Sequence, residues 1–84
     1  MRLEYTQQAL EQLTDLPVTV RDRVANKLDF YAAQDDPLQF AEHLTGFRAY
    51  RFRIGMYRAF CHTEDGVLFI VSIRKRDKAY KGLE

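Results

Sequence analysis

The hydrophobic pattern changes period twice along the chain. Arg2 to Tyr5 is a short β-prone start with Leu3 as its inward candidate, and Thr6 is a good helix N-cap. From Gln7 to Asp15, Ala9 or Leu10, Leu13 and Leu16 recur at helical spacing, and Pro17 closes that segment or opens the next. Thr19, followed three residues later by Asp22, resembles a capping box. Val20, Val24, Leu28 and Tyr31 then form an i, i+4 stripe flanked by Ala25 and Ala32, with Arg21, Asp22, Lys27 and Asp29 on the wet side. This predicts a second helix of about 15 residues. The two helices are expected to form a hairpin with its apolar side on a sheet. Pro37 ends the second helix by disfavouring helical backbone at Asp36. Residues 38–46 have no clear period: Leu38, Phe40, Ala41 and Leu44 fit a turn of helix or an irregular cover.

After Thr45-Gly46 the period falls to two. Three strands are predicted, Arg48 to Ile54, Tyr57 to Thr63 and Val67 to Arg74. Gly55-Met56 supplies a tight turn between the first two, and Glu64-Asp65-Gly66 the next. Val67 to Ile73 is nearly all apolar, as expected of a central strand covered on both faces. The order β-α-α-β-β-β predicts an α+β fold, a two-helix hairpin packed on one face of a mostly antiparallel sheet. At 84 residues the whole chain, 1–84, is expected to form a single domain.

Composition narrows the class. Hydrophobic residues make up 46% and aromatics 13%, enough for a packed core rather than a disordered chain. No apolar run approaches the ~20 residues needed to span a bilayer, so no membrane is expected as a partner. The start, M-R-L-E-Y-T, lacks the apolar stretch of a signal peptide. One cysteine, Cys61, rules out an internal disulfide, and a reducing cytoplasm is the simplest compartment. Net charge is only +1, but residues 1–46 carry four basic and eight acidic side chains and residues 47–84 nine basic and four acidic. The basic excess therefore falls on the predicted sheet, as for an anionic partner met in one orientation.

Common catalytic signatures are missing. His43 and His62 are the only histidines, with no spacing that suits zinc. No glycine-rich phosphate loop occurs. Ser72, the only serine, sits in an apolar strand. No metal or other cofactor is expected. What stands out is the stretch from Phe47 to Arg58, F-R-A-Y-R-F-R-I-G-M-Y-R. Tyr50, Phe52 and Ile54 alternate onto one strand face, and Arg51 and Arg53 onto the other, about 7 Å apart along the strand. The hairpin can bring Arg58 close to them. Three guanidiniums on one sheet face repel unless an anion sits among them. Phe60 and His62 share the Arg58 face by alternation, whereas Cys61 points with Ala59 toward the helices as small core filling. The plain alternatives are a solvated sheet face, or ion pairs of Arg51 and Arg53 with Asp77 and Glu64.

The motifs L-P near residue 16, H-L-T-G, Y-R-F-R-I-G-M-Y-R-A-F, D-G-V and K-R-D-K-A-Y, with a long second helix, resemble the RelE/ParE superfamily of toxins over almost the whole chain. The resemblance implies the same compact β-α-α-β-β-β unit. In the RelE-like branch it implies a toxin that cuts messenger RNA in the ribosomal A site without a metal, the 2′-hydroxyl attacking the adjacent phosphate. Matched by position, Arg51, Arg53, Arg58, Arg76 and Tyr80 are the implied catalytic residues. Arg48, Phe60, Arg74, Lys75 and Lys78 are candidate RNA-binding residues beside them. RelE-like proteins often carry lysines where Arg51 and Arg53 stand here. Positioned positive charge suits a phosphorane-like transition state, and arginine supplies it without losing its proton. A tyrosine among cations could serve as base, because positive charge favours phenolate.

Two other functions stay open. One is a ParE-like toxin that binds DNA gyrase and cuts nothing. The other is an inactive toxin fold acting as a binding module. All three imply a cognate antitoxin that neutralises the basic site. Ribosome and mRNA are the further partners of the first, and DNA is expected only indirectly, through the antitoxin complex.

Overall fold

The computed structural model describes residues 1–46 and 49–76. Two helices pack against one face of a five-stranded sheet. The elements are β1 (Arg2–Tyr5), α1 (Gln7–Thr14), α2 (Val18–Ala32), a 3₁₀ turn (Pro37–Phe40), β2 (Glu42–His43), β3 (Tyr50–Ile54), β4 (Tyr57–Glu64) and β5 (Val67–Lys75). The sheet order is β1-β5-β4-β3-β2, with β1 parallel to β5 and all other pairs antiparallel. The α+β arrangement expected from the sequence is therefore present, with one further strand. Residues 38–46, which carry no periodicity, contribute a 3₁₀ turn and the two-residue edge strand β2.

Local chemistry explains most boundaries. Thr6 caps α1, its Oγ1 accepting from the Ala9 N–H at 3.2 Å. α2 does not start from the Thr19–Asp22 box. It begins at Val18, directly after Pro17, and the Arg21 N–H donates to the Pro17 carbonyl at 2.8 Å. Proline's fixed φ, here −54°, already suits a helix entrance, so no side-chain cap is made. Asp36 caps the 3₁₀ turn through the Leu38 N–H. The two hairpin turns place Gly55 at φ +59° and Asp65 and Gly66 at φ +50° and +78°. The second pair matches the primed turn that suits the twist of a two-residue hairpin.

The core lies between the helices and the sheet. Ala9 and Leu13 of α1, and Val24, Leu28, Tyr31 and Ala32 of α2, meet Phe52, Ile54, Ala59, Cys61, Leu68, Ile70 and Ile73. Of the two candidates on α1, Ala9 is buried and Leu10 is half exposed. The Tyr31 ring stacks on Phe52 at 4.7 Å between centroids. Cys61 is buried, as expected of core filling, and its Sγ lies 3.6 Å from the Tyr50 carbonyl oxygen. Burial pushes its thiol up to about 12.

β5 departs from the expectation of two covered faces. Helices pack on one side only, and Val71 is 36% exposed. The reason is a bulge. Phe60 pairs with Ser72, whereas Cys61 pairs with Ile70, so Val71 is an extra residue on β5. The bulge resets the two-residue alternation. Ile70 and Ile73, three apart, both reach the core. Side chains near α1 meet the backbone here: the Thr6 hydroxyl donates to the Val71 carbonyl at 3.0 Å, and the Ile73 N–H donates to Gln12 Oε1 at 2.7 Å. Beyond the bulge, Ser72 and Arg74 lie in register with Phe60 and Arg58 on the helix-free face.

Candidate functional site

Arginine occupies one row across three adjacent strands. Arg53 of β3 stands directly opposite Arg58 of β4, and Arg58 directly opposite Arg74 of β5. Residues opposite one another share a sheet face, with Cβ atoms about 5 Å apart. The next row is Arg51, Phe60 and Ser72. Alternation puts Phe52, Ile54 and Ala59 on the core face, so the guanidinium-bearing residues take the open one. Like charges directly opposite destabilise a sheet. A row of three therefore costs stability and favours an anionic ligand.

The arginines differ in burial. Arg58, at the centre of the row, is only 5% exposed, while Arg53 and Arg74 are exposed and Arg51 is half-buried. One carboxylate serves two of them. Glu42 of β2 pairs across the strand with Arg51, and its Oε1 accepts from Arg51 Nε at 3.0 Å and from Arg53 Nε at 2.9 Å. The Arg51 bond first, with Arg53 adding to it, holds the Glu42 carboxyl below the usual carboxylate range. Neither expected alternative partner fills this role. Glu64 lies 3.7 Å from His62 instead, and Asp77 lies outside the described residues. The sequence reading missed Glu42 because a two-residue strand leaves no periodic trace. The available signal was an acidic residue just before the Thr45-Gly46 turn that precedes an Arg-x-Arg strand.

Of the remaining candidates, Phe60 is half-buried and lies between Arg51 and Ser72 on the open face. His62 follows on β4 and stacks on Phe69 at 5.3 Å and 21°. Lys75 does not join the arginine row. It pairs with Tyr57, whose neighbour Ile54 is in the core, and so takes the opposite face at the end of β5. Arg76 is exposed just past β5, and its N–H donates to the Met56 carbonyl, beside the β3–β4 turn. Arg48, Lys78 and Tyr80 lie outside the described residues. Among the described residues, no three His, Cys, Asp or Glu side chains are grouped to hold a metal ion. No helix among them is long and apolar enough to cross a membrane.

A five-stranded sheet with a helical hairpin on one face and arginines across the other is shared with toxins of toxin–antitoxin systems. The family model for the ParE toxin of type II toxin–antitoxin systems, parDE, matches residues 3–80, and the chain belongs to this family, within the RelE/ParE superfamily. Solved structures agree. A mutant of the E. coli toxin RelE in complex with antitoxin RelBc peptide is 26% identical, with a TM-score of 0.75 over 99% of this chain and 93% of that one. The archaeal RelE–RelB complex from Pyrococcus horikoshii OT3 is 25% identical, with a TM-score of 0.71 over 92% and 96%. The chromosomal ParDE toxin–antitoxin system of P. aeruginosa shares the fold at 12% identity, with a TM-score of 0.75 over 92% and 97%. No curated protein matches the chain by sequence.

Proposed function

We propose that this toxin is a cytoplasmic endoribonuclease that cuts messenger RNA in the ribosomal A site. The carrying observation is the cross-strand row Arg53–Arg58–Arg74 on the open sheet face. Cleavage by attack of a 2′-hydroxyl on the adjacent phosphate gathers negative charge on the phosphoryl oxygens. Preorganised guanidiniums stabilise that charge in the transition state more than in the ground state. In this reading Arg51, Arg53, Arg58 and Arg76 hold the phosphates, and Tyr80 handles a proton. Phe60, beside the row, offers a ring on which a base can stack. The reaction needs no metal, since arginines supply the charge. A cognate antitoxin, as in the RelE–RelB relatives, neutralises the basic face; charge reversal at Arg58 should weaken that complex at least tenfold by calorimetry.

Primer extension on an mRNA in a purified translation system tests the reading. Cuts that appear only with ribosomes are expected, and an intact mRNA in an arrested culture contradicts it. A second reading follows from the matching family model, which is described as a ParE toxin. In it the chain inhibits DNA gyrase and leaves RNA intact, and cleaved DNA–gyrase complexes would accumulate instead.

A further inference from the structure

Glu42 is the one acidic side chain bonded to the arginine face among the described residues, and the manner of its contact is informative. A single oxygen, Oε1, accepts from the Nε of both Arg51 and Arg53. A carboxylate that merely neutralised one arginine would take the two-pronged geometry, with both oxygens on one guanidinium fork. Here the shared oxygen instead ties two side chains by their inner nitrogens. An arginine held at Nε is fixed in direction, because the planar guanidinium turns only as a unit. Held there, Arg53 keeps its Nη groups for a second anion in the row it shares with Arg58. The carboxylate comes from the edge strand β2, whose backbone pairing with β3 puts Glu42 directly opposite Arg51.

We propose that Glu42 is a positioning residue for the anion site: it clips Arg51 and Arg53 by their Nε atoms, aims them along the open face, and subtracts one unit of charge from what an RNA phosphate meets. The proposal rests on the phosphate-binding reading of the arginine row. It makes two predictions of opposite sign. Loss of the carboxylate strengthens the long-range attraction for RNA, and it loosens the arginines that act on the phosphate.

The test compares the full chain with Glu42→Gln and Glu42→Ala, using a single-stranded RNA dodecamer as probe. In proton–nitrogen spectra of the free protein, the Arg51 and Arg53 Nε–H signals should be slow to exchange in the wild type and broaden or vanish in Glu42→Ala. The slope of log affinity against log salt should steepen by about 0.7 in both variants, the effect of one added phosphate contact on a single strand. Ribosome-dependent cleavage should fall about tenfold or more in Glu42→Ala, mostly in kcat, because misdirected groups lose orientation rather than affinity. Unchanged Nε–H signals, an unchanged salt slope or an absence of RNA binding by the wild type would each overturn the proposal. If the wild type binds the dodecamer but cuts no mRNA, the nuclease reading fails, and the spectra and salt slope still decide the role of Glu42. Urea unfolding of the variants checks that each is folded.

Discussion

Tyr5 shows how burial writes a pH dependence into a single residue. Desolvation at the sheet–helix boundary, together with the nearby charge of Asp29, pushes its phenol up to about 12 from 10.0. A raised folded value means that the native state keeps its proton longer than the unfolded chain does. The contribution to stability is full below the unfolded value and is lost as pH rises through the folded one. Wild-type stability should therefore fall between about pH 10 and 12, and Tyr5→Phe should flatten that part of the curve in urea titrations at stepped pH. Glu42 runs the other way. Its carboxyl is held low, so its contribution is present above the usual carboxylate range and fades as pH falls through the folded value. The difference in stability between wild type and Glu42→Gln should be seen at neutral pH and vanish in acid. High salt should shrink it, because the pair is half exposed.

Elements were legible in the sequence wherever they are local. The stripe Val24, Leu28 and Tyr31 announces α2, Thr6 announces the start of α1, and Gly55 and Gly66 mark the hairpin turns, because each signal lies within a few residues of its effect. The misses are non-local. β2 exists only because β3 pairs with it, and the β5 bulge only because β4 and α1 meet β5 where they do. An apolar run such as Val67 to Ile73 carries no phase of its own, so neither the bulge nor the open side of β5 shows in it. Gln12 is the clearest case: on sequence it is one polar helix residue among several, yet it accepts from the buried Ile73 N–H. Gln12→Leu leaves that donor unsatisfied and should cost about 1–3 kcal/mol, read as a lower urea midpoint at unchanged m.

At the scale of the molecule, the fold sorts residues to two faces of one sheet. The apolar side chains of β3, β4 and β5 close on the helices, and the arginines between them are left on the far side. That sorting was visible in the alternation of Y-R-F-R-I, and so was the convergence of Arg51, Arg53 and Arg58. The place of Arg74 was not, because it depends on the phase that the bulge restores. Lys75, its neighbour, falls on the other face for the same reason. Nor was the acid within the site visible, since Glu42 reaches the arginines from an edge strand too short to leave a pattern.

The central claim is that the arginine row acts on RNA, and Arg58 is its middle member. Single-turnover cleavage of ribosome-bound mRNA by the wild type, Arg58→Lys and Arg58→Ala tests it most directly. Removing one preorganised donor to a developing oxyanion costs about 10²–10³ in rate, so Arg58→Ala should lose at least that much. Arg58→Lys should recover part of it, since the charge returns without the fork. An Arg58→Ala protein that folds normally and cuts at the wild-type rate would contradict the account.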